Sequence, residues 1–374
     1  MQHDVVADFT RSIPPAPPEV GDALADTLGA IAADPGARTL LHESKTGGGP
    51  EDRLAAARWM ARRMPAPEPH RLLLTNGTQS SLLLVLRHLA APGDVVLAEG
   101  LTYGAIGNLA ERARVRLRPV DLDDDGMVPE SLAAACRKLK PRLIYCNPGY
   151  HNPTTTTMSL ERRHQIVAVA RQYGVPVFED DVLGALHPDT PPPIATLAPE
   201  LTWYSMGLTK SLTQGLRVGY LLGPDGPAVE AVTQPIARLS YWVANPLSAE
   251  VVRRWIDGGQ ATAIADAIHR ESAVRQRLAG QLLHGLHFDT QDAAMHLWLR
   301  VPTGHTSHSY TAAAAERGVL VRPAEMFAVD GHPVPPRVRL SLSTPLDRAQ
   351  VRRGLEIISA LSSHERWANI VRRP

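Results

Sequence analysis

The chain has 374 residues, 44% apolar and 21% charged, which excludes a disordered or fibrous protein and allows one large domain with a smaller companion. A formal net charge of +1, with no basic run, gives no electrostatic basis for nucleic-acid binding. No apolar stretch is long enough to span a bilayer, residues 1–30 lack the order of a signal peptide, and Cys136 and Cys146 have no metal-ligand spacing, so the expectation is a cytoplasmic protein with reduced thiols and no metal.

Residues 1–20 are polar and proline-rich (Ile13-Pro-Pro-Ala-Pro-Pro18), which predicts an extended arm rather than a packed element. An amphipathic helix is expected over 19–33, then a loop holding Thr46-Gly-Gly-Gly-Pro50, then a helix over about 51–63. From Arg71 short β-rich runs alternate with helical ones. Strands are expected at Leu72–Thr75, Val95–Ala98, Val115–Pro119, Leu143–Cys146, Pro176–Phe178, Thr202–Ser205 and Val218–Leu222. Helices fall between them near 78–90, 103–113, 130–138 and 160–173. Strands that are apolar throughout and alternate with helices predict an α/β fold with a mainly parallel sheet covered on both faces. Past about 235 a long helical stretch is expected over 246–285. Strands at His296–Val301, Val319–Arg322 and Arg337–Leu342 and a closing helix over 347–362 then make a small α+β unit. The division is an arm and part of the small domain at 1–44, a large domain at 45–235, and an interdomain helix with the rest of the small domain at 236–374.

Four lysines stand among 39 basic residues, and one of them, Lys210, lies in Tyr204-Ser-Met-Gly-Leu-Thr-Lys-Ser-Leu-Thr-Gln-Gly-Leu-Arg217. A lysine between a strand and a Gly-Leu-Arg-Val-Gly turn suits an amine kept for a Schiff base to a carbonyl cofactor. Asn76-Gly77-Thr78-Gln79 follows a strand and opens a helix, where free N–H groups make a seat for a phosphate. Asn152-Pro153 can aim a side-chain amide. Glu179-Asp180-Asp181 ends a strand at the edge where open α/β sheets place ligands, and its three carboxylates would equally suit a metal or a helix start.

In this order, Gly-Thr-Gln, Tyr103, Asn-Pro-Thr, Glu-Asp-Asp, Thr-Lys-Ser and Gly-Leu-Arg resemble the fold type I pyridoxal-phosphate enzymes, and within them the class I/II aminotransferases. The nearest resemblance is to the branch of aminoadipate and kynurenine aminotransferases and the aminotransferase-like domains of GntR-family regulators, expected here without a winged-helix DNA-binding segment. It implies a seven-stranded large domain, a small α+β domain and a homodimer. It also implies pyridoxal 5'-phosphate as cofactor, with an amino acid and a 2-oxo acid as substrates. Residue by residue it makes Lys210 the Schiff-base lysine and proton carrier and Asp180 the partner of the pyridine nitrogen. Asn152 becomes the donor to the ring oxygen and a neighbour of the substrate, and Tyr103 the stacking aromatic. Gly77, Thr78, Gln79, Thr209 and Arg217 would hold the phosphate, and Arg339 the substrate α-carboxylate.

The pattern is broken at several positions. Leu183 stands where a tyrosine is usual, Gly207 where a serine is usual, and Thr155 follows Asn-Pro-Thr in place of glycine. Ala324-Glu325-Met326 replaces a small residue and glycine before Phe327, and His42 stands where a tyrosine reaches a neighbouring subunit's phosphate. His42, Tyr241, Trp242, His296 and Arg322 are candidates for shaping a side-chain pocket. The expected reaction is ping-pong amino transfer from an L-amino acid to a 2-oxo acid in specialised metabolism. The alternatives are another pyridoxal-phosphate reaction (elimination, racemisation, decarboxylation or oxidation) or a cofactor-binding sensor without turnover.

Overall fold

Seven short strands, almost all fully buried, build the central sheet. The computed structural model describes residues 5–42, 45–238 and 244–371. Across this sheet the strands run Leu72–Thr75, Gly219–Leu222, Thr202–Gly207, Val177–Asp180, Leu143–Cys146, Val95–Glu99 and Arg116–Val120. Only Gly219–Leu222 is antiparallel to its neighbours. The other strands therefore point the same way, and their carboxyl ends share one edge of the sheet. Helices packed on both faces explain why strands such as Leu143–Cys146 are apolar throughout rather than at alternate positions. The helix Leu160–Tyr173 shows how firmly such connections are punctuated. Ser159 accepts a hydrogen bond from the Arg162 amide at its start, and Gly174 adopts the left-handed conformation at its end (φ 63°).

A second, four-stranded antiparallel sheet runs Phe288–Asp289, His296–Arg300, Arg337–Ser341, Arg322–Pro323, with the helix Arg348–Val371 closing the chain. Its register sets Arg322 directly opposite Arg339.

The first residues are not the unpacked arm that their composition predicts. Ala7–Asp8 pairs in parallel with Val319–Leu320, and the Phe9 ring is fully buried. A Cβ on Gly354 would lie 2.6 Å from both Ala7 and Phe9, so this helix is bare at that turn where the N-terminal segment lies on it. The burial of one aromatic outweighs the proline-rich stretch behind it, and only residues from about Thr10 onward run free of a strand. The helical stretch over 246–285 is two helices, Pro246–Asp257 and Gln260–Leu282, broken where Gly259 takes φ 83°. The single strand expected at Val319–Arg322 is divided between two sheets. The helix Gly226–Arg238 has no counterpart in the sequence reading, its pattern being interrupted by Pro235. Among the described residues no helix is long and apolar enough to cross a membrane.

Candidate active site

Strand ends on one sheet edge bring distant motifs together. Gly77, Thr78, Gln79, Tyr103, Asn152, Asp180, Thr209, Lys210, Arg217 and Arg339 all line one cleft of about 520 Å3, joined by Thr10, Arg11, Ser12 and Arg322. His42 ends the short helix Ala37–His42, exposed and away from this cleft, and His296 is buried beneath it. Tyr241 and Trp242 lie outside the described residues.

The anion seat forms where Leu72–Thr75 gives way to the helix Thr78–Leu89. Gly77 caps that helix at φ 88°, with no side chain satisfying the first amides, so those N–H groups are left for a ligand. A Cβ built on Gly77 would lie 3.8 Å from Arg217 Nη2, which places the guanidinium beside the helix start. Gln79 turns its side chain elsewhere and donates from Nε2 to the Tyr103 hydroxyl at 2.6 Å. A Cβ on Gly207 would come within 2.8 Å of the Thr78 methyl, so Thr78 fills the space that a serine side chain there would need.

The three consecutive carboxylates separate into three tasks. Glu179, fully buried, accepts from the Ile194 and Ala195 amides at 3.0 and 2.9 Å and lies 3.6 Å from Arg163. Asp181 pairs with buried Arg63 at 3.1 Å and accepts from the Tyr204 hydroxyl at 2.8 Å. Only Asp180 faces the cleft. The Tyr145 hydroxyl donates to its Oδ2 at 2.7 Å, while Oδ1 is buried without a partner. Burial raises the Asp180 pKa to about 6 against the lowering effect of the Tyr145 bond. The sequence signal for Tyr145 was only its place on a core strand, and nothing in the motif marked it.

Lys210 follows strand Thr202–Gly207 and is half-buried, its Nζ donating to the Ser12 carbonyl. Burial, then the charges of Arg339, Arg11 and Arg217, lower its pKa to about 8, with Asp180 opposing. That shift gives the amine a far larger neutral fraction at pH 7 than an ordinary lysine, as a nucleophile toward a carbonyl needs.

Arg339 is buried, and its ends are fixed. Nη1 donates to Asn152 Oδ1 at 2.8 Å, Nη2 to the Thr10 carbonyl at 2.7 Å, and the guanidinium lies 4.9 Å from the centre of the Phe327 ring. Its Nε has no partner. Asn152 is held in turn by Asn147, whose Oδ1 accepts from the Asn152 amide at 2.9 Å while its Nδ2 donates to the Asp180 carbonyl at 2.6 Å. Glu99 anchors Asn147 by accepting from its amide at 2.6 Å. This relay, Glu99 to Asn147 to Asn152 to Arg339, was missed in the sequence because its members lie on three separate strands and loops.

A half-buried lysine, an unsatisfied buried carboxylate oxygen and a bare helix start beside an arginine share one cleft. The chain belongs to the aminotransferase class I and II family, whose sequence profile matches residues 16–358. Among curated proteins it is similar to the uncharacterized HTH-type transcriptional regulator YdeF of Bacillus subtilis, 31% identical over 78% of this chain and 62% of that protein. It is also similar to aromatic-amino-acid aminotransferase 1 of Thermococcus litoralis, 26% identical over 74% of this chain and 69% of that one. Among solved structures the kynurenine aminotransferase of Pyrococcus horikoshii superposes with a TM-score of 0.85 at 23% identity, covering 97% of this chain and 92% of the other, a likeness of fold. The chain spans about half to three-fifths of the length of the B. subtilis regulators it matches. Pyridoxal 5'-phosphate is the cofactor of this family, and the residues fit it. Asp180 Oδ1 lacks a partner, the helix start at Gly77 is bare, and Lys210 lines the same cleft.

Proposed function

We propose that this protein is a pyridoxal-phosphate-dependent aminotransferase that moves an amino group from an L-amino acid to a 2-oxo acid by a ping-pong mechanism. The observation that carries the proposal is the cleft shared by Lys210, Asp180 with its unsatisfied Oδ1, and Arg339 with its unsatisfied Nε. When bound, the cofactor supplies an aldehyde for the amine and a ring that accepts electrons from the substrate Cα. The chain's own residues do the rest. The Gly77, Thr78 and Gln79 amides with Thr209 and Arg217 seat the phosphate, one by helix-end polarity and one by a forked cation. Asp180 keeps the pyridine nitrogen protonated, and Tyr103 covers the ring. Asn152 donates to the ring oxygen. Arg339 grips the α-carboxylate, and the Asn152 contact fixes its orientation relative to the cofactor's seat. Lys210 Nζ, its pKa lowered to about 8, would carry the proton from the substrate Cα.

Free thiols at Cys136 and Cys146 suit a cytoplasmic protein, and we propose a homodimer in which the exposed end of the helix Ala37–His42 meets the neighbouring subunit. The regulator relatives favour a second reading, a sensor that binds cofactor without turnover. One experiment separates the two. The cofactor-loaded protein is mixed with single amino acids in the absence of any 2-oxo acid. The proposal expects one equivalent of 2-oxo acid released per loaded site, with the amino group retained on the cofactor. Ammonia, carbon dioxide or peroxide as product would assign another reaction, and bound cofactor inert to every amino acid would favour the sensor.

A further inference from the structure

Backbone strain is concentrated where a loop of the large sheet meets a loop of the small one. Six described residues other than glycine have positive φ: Arg114, Lys140, Tyr150, Thr155, Arg217 and Ala293. Arg114 and Lys140 end helices, where that conformation is ordinary. Arg217 lines the cleft. The other three meet. Tyr150 (φ 48°) and Thr155 (φ 67°) bracket Asn152 in the loop after strand Leu143–Cys146, and Ala293 (φ 52°) lies in the connection between Phe288–Asp289 and His296–Arg300. Left-handed backbone is unfavourable for a residue with a Cβ, most of all for a β-branched one such as Thr155, and persists only where the surroundings fix it. Three hydrogen bonds do so here. Gln291 Nε2 donates to the Thr155 carbonyl at 2.6 Å, and its Oε1 accepts from the Thr157 hydroxyl at 3.0 Å. The Tyr150 hydroxyl donates to the Asp292 carbonyl at 2.9 Å. Between these anchors Asn152 has its Oδ1 taken by Arg339 and its amide by Asn147, which leaves Nδ2 without a protein partner among the described residues.

We propose that Gln291 is a positioning residue: its two bonds clasp the strained loop to the small sheet, and the loop so held aims Asn152 Nδ2 at the cofactor's ring oxygen. The inference rests on the reading of Asn152 as the donor to that oxygen. Gln291 does not line the cleft, so it acts only through the loop. A glutamine suits the task because one amide accepts from Thr157 and donates to Thr155 at once, whereas a carboxylate could only accept. Strain makes the loop depend on this clasp. Without the bond to its carbonyl, Thr155 is free to return to ordinary backbone, and Asn152, three residues before it, turns with the loop.

The test measures binding, not turnover. Stripped protein is titrated with pyridoxal 5'-phosphate and with its 3-deoxy analogue, which lacks only the ring oxygen. The ratio of the two affinities reads the contact made by Asn152, while a general loss of structure weakens both together. Asn152→Ala, which removes the contact, should lower the ratio about tenfold. Gln291→Ala and Gln291→Glu should each lower it about threefold or more, by weakening pyridoxal phosphate alone. Tyr150→Phe, which keeps the ring's stack on His187 and loses only the bond to Asp292, should lower it in the same sense. Thr155→Gly, added to Gln291→Ala, should restore the ratio to within about twofold of wild type, because glycine adopts left-handed backbone without a steric penalty. A ratio lowered by Asn152→Ala but by none of the Gln291 and Tyr150 variants, or one that Thr155→Gly fails to restore, overturns the clasp. Failure of the underlying reading looks different: a ratio that Asn152→Ala itself leaves unchanged removes the ring-oxygen contact, and the proposal with it.

Discussion

Replacing Tyr145 with phenylalanine tests the electrostatics of the cofactor seat with the loss of a single oxygen. The ring is fully buried and stacked on Phe178 with centroids 6.0 Å apart, so the variant keeps its shape. What disappears is the 2.7 Å bond to Asp180 Oδ2. A hydrogen bond to a charged group is worth about 1.5–3 kcal/mol, and one pKa unit corresponds to about 1.36 kcal/mol. From a value of about 6 in the native protein, the Asp180 carboxyl should therefore rise by ~1–2 units. The sign follows from which form is needed. Pairing with a protonated ring nitrogen requires the carboxylate, which exists above the pKa and is lost as pH falls through it. In Tyr145→Phe that loss reaches into neutral pH. Cofactor affinity should drop about two- to tenfold near pH 7 and converge with wild type near pH 9, beyond the raised pKa. The assay is equilibrium titration of stripped protein with pyridoxal phosphate, followed by tryptophan fluorescence across that range. The cofactor's own titrations are common to both proteins and cancel in the ratio. Parallel curves with an unshifted midpoint would refute the assignment of Tyr145 as the group that keeps Asp180 ionised.

Two further substitutions separate structure from function along the same edge. Asp181→Asn leaves the guanidinium of Arg63, whose side chain is 1% exposed, without its counter-ion, and should destabilise the fold by about 3 kcal/mol in urea denaturation. Asp180→Asn keeps an acceptor for Tyr145 and removes a poorly solvated charge, so it should cost less than about 1 kcal/mol while weakening cofactor binding; equal losses of stability in the two variants would contradict this division of labour. Gly219→Ala would place a Cβ 2.8 Å from Gly77 Cα and 3.0 Å from its carbonyl carbon, against backbone that has no side chain to swing away. The strain of about 1–3 kcal/mol falls on the proposed phosphate seat, so cofactor affinity should fall about fivefold or more; unchanged affinity in a folded variant would show that the seat is formed elsewhere.

What the sequence displayed and what it concealed divide along a physical line. Leu72–Thr75 and Leu143–Cys146 could be read to the residue, because a strand buried on both faces is a continuous apolar run ended by turn residues. The motif residues were legible because each follows such a run, and parallel strands deliver their carboxyl ends to one edge. Phe9 was not legible, since its partners on Gly354 and the strand Val319–Leu320 lie far along the chain. Nor was the sorting of Glu179, Asp180 and Asp181, which depends on Arg163, Tyr145 and Arg63 arriving from three other elements. Adjacent identical charges become different groups only when the fold supplies each with a different neighbour: one neutralised by an arginine, one bound by amides, one left with an oxygen to offer. The same logic applies to Arg322. Its place opposite Arg339 is a matter of register, and a slip of one residue would turn its side chain to the other face of the sheet. Pairing of the strands, which no local pattern specifies, is therefore what brings Arg322 to the cleft that Arg339 lines.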